Sequence, residues 1–174
     1  MNAEKPDSSD PAAPGPLFSG RFAGPDAFQK LVREAFVYAA SQGWREIVLS
    51  DASFGDWPLR ERPVVDALHA WARSGRKMIM LATTYDEVIR SHARFVTWRK
   101  TWGHLIDCRV CHGVEPSDFP SALWSRDWFM QRQDSVRSTG TCGSDRERSL
   151  QLRQALDEKI RVSTPGFPAS TLGL

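Results

Sequence analysis

The chain has 174 residues, of which 41% are hydrophobic and 25% charged, with a formal net charge of +2. Those values suit one globular domain with tails and argue against nucleic acid as a partner, because the net positive charge is small. Three cysteines are too few for a disulfide framework, and no apolar run approaches the ~20 residues of a membrane span, so no membrane insertion is expected.

The opening "MNAEKPDSSDPAAPGP" has neither the basic nor the apolar region of a secretory signal, which points to a cytoplasmic protein. Residues 1–20 are rich in Pro, Ala, Ser and Asp and predict a disordered tail. One α/β domain is expected over 21–163, followed by an irregular tail over 164–174. Of the 23 basic residues, 18 are arginine, the side chain suited to bidentate pairing and aromatic stacking.

Phe28, Leu31, Val32, Ala35, Phe36 and Ala39 recur at helical spacing, with Pro25 in the first turn and Gly43 at the stop. "EIVLS", Glu46 to Ser50, then reads as a buried strand. After the loop "DASFGDWPLRER", a second helix shows Val64, Val65, Leu68 and Trp71 on one face and ends at Gly75. "KMIMLA" is a second buried strand. A capping box, Thr84 to Glu87, predicts one long third helix with the stripe Val88, His92, Phe95, Val96, Arg99 and Trp102. "HLIDCRV" is a third strand. Strands alternating with helices predict a mostly parallel mixed sheet flanked by helices. "SALWSRDWFMQRQ" and "SVRSTGTCG" extend it as two antiparallel strands. A second capping box, Ser144 to Glu147, opens a last helix packed through Leu152, Ala155, Leu156 and Ile160.

The segment Cys108-Arg109-Val110-Cys111-His112 has the C-x-x-C-H spacing of covalent haem attachment. Its alternation argues otherwise. Ile106, Cys108 and Val110 share one side of a strand and Cys111 the other, some ~10 Å along the chain, too far for a disulfide or one porphyrin edge. Cys108, Cys111, His112 and Cys142 supply zinc donor types, but the second close pair of a structural site is missing. No cofactor and no metal is assigned.

In open parallel sheets ligands bind beyond the carboxyl ends of the strands. Those ends place Asp51, Ser53, Asp56, Thr83, Thr84 and His112 as candidate ligand-binding residues for an anionic group. Asp51 and Asp56 could instead hold a metal for phosphoester hydrolysis, although no D-x-D or glycine-rich phosphate loop accompanies them. A third candidate surface is the basic aromatic side of the third helix, Arg90, Arg94, Trp98, Arg99 and Lys100, which could bind nucleic acid.

The run "WREIVLSDASFGDWPLRERPVVDALHAWARSGRKMIMLA" resembles the phospholipase D-like fold in its order of helix, strand, loop and helix. The close "LRQALDEKIRVSTPGFPASTLGL" is similar to the final helix and tail of a bacterial branch of short stand-alone proteins. Active members of that superfamily carry H-x-K-x-x-x-x-D, whose His attacks phosphorus while the Lys stabilises the phosphoryl oxygens. Here Trp71, Arg94, Ile106 and Val114 stand two positions after the four histidines. His92-Ala93-Arg94 comes nearest, with Arg99 where the Asp belongs. The resemblance therefore implies a phospholipase D-like module without the catalytic motif: non-enzymatic, recognising an anionic ligand or a protein partner, with a homodimer as the arrangement the family allows.

Overall fold

The structure is a computed structural model that describes residues 13–168. The expected tail over 1–20 lies outside the described residues up to position 12, as does the end of the C-terminal tail from position 169.

The elements follow in chain order. β1 (Gly20–Phe22), α1 (Pro25–Gln42), β2 (Glu46–Ser50), α2 (Arg62–Ala72) and β3 (Lys77–Ala82) come first. Then come α3 (Asp86–Ser91), α4 (Ala93–Thr101), β4 (Ile106–Val110), β5 (Ser121–Trp124), β6 (Phe129–Asp134), β7 (Thr139–Gly143), α5 (Arg146–Val162) and β8 (Thr164–Pro165). The apolar stripes of α1 and α2 are buried as the spacing predicts. Gly43 ends α1 in the left-handed conformation that glycine adopts without strain.

All eight strands form one sheet in the order β1-β7-β6-β5-β2-β3-β4-β8. The sheet is mixed and mostly antiparallel, which corrects the expectation of a mostly parallel one. Only β2–β3 and β3–β4 pair in parallel. The pairs β2–β5, β5–β6, β6–β7, β7–β1 and β4–β8 are antiparallel. The run from β2 to β4 obeys the helix-crossover rule, but β5, β6 and β7 follow one another with no helix between them and pair as hairpins. "SALWSRDWFMQRQ" is itself a hairpin rather than one strand. Ser125 closes its turn, its amide and its hydroxyl both donating to the Trp128 carbonyl at 2.9 and 3.0 Å. The C-terminal segment contributes β8 on the edge of β4.

Two cores flank the sheet. One packs α1, α2 and α4 against Ile47, Leu49, Met78, Met80 and Cys108. The other packs α5, through Leu152 and Leu156, against Val48, Ile79, Leu81, Ala122 and Phe129. Cys108 and Cys111 fall in opposite cores, as the period of two requires.

The third helix breaks at His92, which ends α3 and begins α4 with non-helical φ −117°, ψ 52°. The His92 ring reaches across to the Phe54 carbonyl at 2.8 Å, tying the break to the loop after β2. A carbonyl only accepts, so His92 carries its proton on Nε2, and Nδ1 is left without a partner. The Thr84–Glu87 capping box does not form. The buried Tyr85 hydroxyl shares its one proton between the Met80 and Arg109 carbonyls, 2.7 and 2.9 Å away, and accepts the Arg109 amide at 3.1 Å, which ties Tyr85 to the sheet at the cap position of α3. At α5 the cap is Asp145, one residue later than expected, accepting from the Arg148 amide.

Candidate functional site

β2 is the strand at which the parallel and antiparallel halves of the sheet meet, and a crevice outside its carboxyl end is the place a ligand would be sought. The chain leaves β2 at Asp51, which is 5% exposed. Its Oδ1 accepts the amides of Ser53 and Phe54 at 3.1 and 2.8 Å. Its Oδ2 accepts the Ser121 hydroxyl at 2.7 Å and Arg132 Nη2 at 2.9 Å.

Arg132 comes from β6 and is the residue that organises this site. Its side chain is 2% exposed and lies over the Phe28 ring, with Cζ 4.0 Å from the centroid. Nε donates to Ser121 Oγ at 3.1 Å. Nη1 donates to Asp56 Oδ2 and to Ser138 Oγ, and Nη2 donates to Asp51 Oδ2 and to Asp56 Oδ1 at 3.1 Å. A guanidinium has five N–H donors, so all of them are engaged. Burial works to lower the Arg132 pKa, but the Asp56 hydrogen bond and the charges of Asp51 and Asp56 outweigh it, and the pKa is raised. Two backbone positions in this network are left-handed without being glycine, Phe54 (φ 57°) and Ser138 (φ 51°). Such residues cost on the order of 1–3 kcal/mol each and persist only where the surroundings hold them.

Of the six expected ligand-binding residues, three are brought together. Asp51, Ser53 and Asp56 line one cleft of about 400 Å³ with Arg132, Pro116 and Phe119. Thr83 and Thr84 line a neighbouring cleft of about 510 Å³ with Lys100 and Phe167. The Thr83 hydroxyl is engaged, donating to the Ala52 carbonyl at 2.8 Å, and Thr84 Oγ1 accepts the Asp86 amide at 3.2 Å. His112 lines neither cleft; it is exposed, with Nε2 3.4 Å from Thr164 Oγ1.

The four zinc-type side chains are not brought together. Cys108 and Cys111 face opposite cores, and Cys142 lies near Phe18 and Gly20 at the other edge of the sheet. Among the described residues no three His, Cys, Asp or Glu side chains cluster as a metal would require. Burial pushes the Cys108 thiol up to about 11 against the charge of Arg99, and burial also raises Cys111 and Cys142.

The basic aromatic side of the third helix divides in two. Arg90, Arg94 and Lys100 are exposed, but Trp98 and Arg99 are buried and belong to no surface. Arg99 lies beneath Phe167, donating to its carbonyl at 3.2 Å. The expected stripe holds through the bend at His92, with Val88, His92, Phe95 and Arg99 buried and Val96 and Trp102 half-buried, and Trp98 joins it.

Sequence reasoning missed Arg132, Ser121 and Ser138. A signal for the first exists. Arg132 lies two residues from Met130, so both occupy the inward side of β6. An arginine on the apolar side of a strand requires a buried acidic partner.

No family model and no curated protein matches the chain. Solved structures do. The archaeal chromatin protein TrmBL2, described as showing a novel mode of DNA binding, is similar with a TM-score of 0.64 at 12% identity, over 87% of this chain and 55% of that one. This chain thus spans about half of that protein's length. The phospholipase D family member Nuc from Salmonella typhimurium gives a TM-score of 0.57 at 10% identity, over 86% of this chain and 99% of that one. NucT from Helicobacter pylori gives 0.56 at 11% identity, over 86% and 99%. At these identities the likeness is one of fold, and the fold of this chain is phospholipase D-like.

Proposed function

We propose that this protein is a non-catalytic binding module on a phospholipase D-like fold, working in the cytoplasm. The observation that carries the reading is the closure of the Asp51–Arg132–Asp56 network. Every Arg132 donor is engaged inside it, so none is left for an incoming phosphate. Asp51 already accepts four hydrogen bonds, and its charge is matched by Arg132, so it is poorly disposed to take a metal. The histidines are no better placed for attack. His92 is buried on Phe54, His69 accepts the Trp102 indole N–H at Nδ1 over 3.0 Å, and His112 lies outside both clefts. The sequence also lacks Lys two residues after any His. Asp51, Asp56 and Arg132 then serve as the wall of a crevice that offers Ser53 to an anionic ligand or a partner chain, with Thr83 and Thr84 in the second cleft and His112 outside both. The test is hydrolysis of bis(p-nitrophenyl) phosphate with and without Mg²⁺ or Mn²⁺. No turnover above buffer is expected. Metal-dependent turnover abolished by Asp51→Asn would establish the hydrolase reading, and turnover abolished by changing a His would establish a catalytic one.

Nucleic-acid binding is a second reading, and the DNA-binding description of TrmBL2, a fold neighbour, supports it. The small net charge does not weigh against it as the composition implied. Net charge averages over the whole surface, whereas binding depends on where the uncompensated cations sit. Arg90 is paired with Glu87, and Trp98 and Arg99 are buried, so the side of the third helix is a weak candidate for that role.

A further inference from the structure

The amino ends of the parallel strands, opposite the crevice, gather cations from four separate segments. Arg45 precedes β2, and Arg76 and Lys77 open β3, their amides both donating to the Arg45 carbonyl at 2.9 and 3.1 Å. Arg73 caps α2 at the same end. β5 runs antiparallel to β2, with Val48 opposite Trp124, so the β5–β6 turn carries Arg126 to this end. Gly143 pairs with Phe129 at the foot of β6, and Arg146 follows as the first residue of α5.

These six side chains, Arg45, Arg73, Arg76, Lys77, Arg126 and Arg146, are all exposed. None makes an ion pair or a side-chain hydrogen bond among the described residues; Arg21, Arg60, Lys100, Arg137 and Lys159 are likewise unpaired elsewhere in the fold, and several further cations are engaged. Arg33 is held by Glu61, Arg132 by Asp51 and Asp56, Arg153 by Glu46 and Asp157, and Arg161 by Glu158. The carboxylates of the amino end are mostly occupied. Glu46 pairs with Arg153 at 3.1 Å, Asp107 with Arg109 at 3.6 Å, and Asp145 caps α5. Asp127 remains. Arg126 and Arg146, together with Asp127 and Arg153, line a cleft of about 490 Å³ between the β5–β6 turn and the first turn of α5. Its floor is Trp124, rigidly placed: the indole N–H donates to Ser149, and Arg153 stacks on the ring with Cζ 4.5 Å from the centroid.

We infer that the amino end of the sheet is a docking face for the phosphate backbone of a nucleic acid, with the Arg126–Arg146 cleft seating one phosphate. The inference rests on the nucleic-acid reading above and names its surface. Unpaired exposed cations lose no internal partner on binding and release condensed counterions from the polyanion, which is the dominant source of sequence-independent affinity. Arginine suits the role by bidentate phosphate contact. Contacts to the phosphate backbone carry no sequence information, so binding through this face is expected to be indifferent to sequence.

The test is fluorescence anisotropy of a labelled 20-base-pair DNA duplex titrated with the full chain from 25 to 200 mM salt. Wild type should bind at low salt, with affinity falling steeply as salt rises. Each lost phosphate contact lowers the slope of log K against log salt by about 0.9, so Arg76→Gln/Lys77→Gln should flatten it by about 2 and Arg126→Gln/Arg146→Gln, which removes one shared phosphate seat, by about 1. Arg94→Gln/Lys100→Gln should leave it unchanged. If wild type does not bind the duplex at the lowest salt, the nucleic-acid reading fails and this inference with it. If wild type binds but only the Arg94/Lys100 variant flattens the slope, the reading stands and the assigned face is wrong. Binding to phosphatidylglycerol vesicles without binding to the duplex would assign the face to a membrane surface and overturn the inference.

Discussion

Arg132→Met tests the organisation of the crevice most directly. The substitution keeps much of the side-chain volume over Phe28 but removes the charge and all five donors. Asp51, at 5% exposure, would retain its bonds to the Ser53 and Phe54 amides and to Ser121 yet lose its ion-pair partner among the described residues. Breaking a buried pair from one side costs about 3–5 kcal/mol, because it leaves a charge uncompensated in the interior. Against a typical total of about 5–15 kcal/mol, that is a large share. For a chain of this size, each kcal/mol lowers the melting temperature by about 2–4 °C, so a fall on the order of 10 °C is expected.

The network geometry also predicts a ranking. Asp56→Asn should cost no more than about 1 kcal/mol, because the Asp56 side chain is 45% exposed and water replaces part of what it loses. The double variant Asp51→Asn/Arg132→Met should be more stable than Arg132→Met alone, since both charges are gone. Urea unfolding followed by tryptophan fluorescence would measure all four proteins. If Arg132→Met costs under 1 kcal/mol, or if the double variant is the least stable, Asp51 is not a buried charge held by Arg132 and the argument for a closed crevice wall collapses.

Other expectations follow from single contacts. Gly140→Ala should destabilise by about 3 kcal/mol, because a Cβ there would meet the Gln131 carbonyl and stand 2.8 Å from Arg132 Cα, and backbone cannot move aside as a flexible side chain can; urea unfolding reads it, and a neutral effect would contradict the β6–β7 register. Glu61 is held below its ordinary pKa first by the Arg33 hydrogen bond and then by the Arg33 charge, so the pair stabilises above the unfolded carboxyl pKa and its contribution fades as pH falls through the folded value. Glu61→Gln should thus cost up to about 1 kcal/mol at pH 7 and progressively less as pH falls below the unfolded carboxyl pKa, measured by melting from pH 7 downwards. Cys108, Cys111 and Cys142 are buried with raised thiol pKa values, so a chromogenic disulfide reagent at pH 7.5 should find them unreactive in the native protein and react with all three in urea; rapid native labelling would contradict their burial.

What could be read from the sequence was whatever depends on neighbours along the chain. The α1 and α2 stripes, the apolar runs of β2 and β3, and the opposite facing of Cys108 and Cys111 are periodicities of 3.6 and 2, and each stands in the structure. What could not be read depends on residues distant in sequence. Thr84 and Glu87 have the spacing of a capping box, but the Tyr85 hydroxyl is drawn to Arg109, 24 residues on, and the box is forfeited. His92 sits on a continuous helical stripe, yet its bond to Phe54, 38 residues earlier, accompanies a break there. At the crevice, Asp51 and Asp56 looked available because the pattern of a loop says nothing of an arginine about 80 residues further on.

The closing of the crevice follows from topology. A parallel sheet leaves its carboxyl ends open because every chain departs there into a crossover helix. In this fold β2 has a parallel neighbour on one side only; on the other lies β5, antiparallel, and beyond it β6. Ser121 begins β5 at the carboxyl end of β2, where Ser50 pairs with Ala122, and it is itself opposite Arg132. The antiparallel half therefore delivers an inward arginine and a serine directly over Asp51. The left-handed Phe54 and Ser138 hold the two loops that complete the cage. The carboxyl end so becomes a fixed wall, while the amino end collects the turn of the β5–β6 hairpin and the start of α5, both bearing unpaired arginines. One reversal of strand direction beside β2 accounts for the paired carboxylates at one end of the sheet and for part of the free charge at the other.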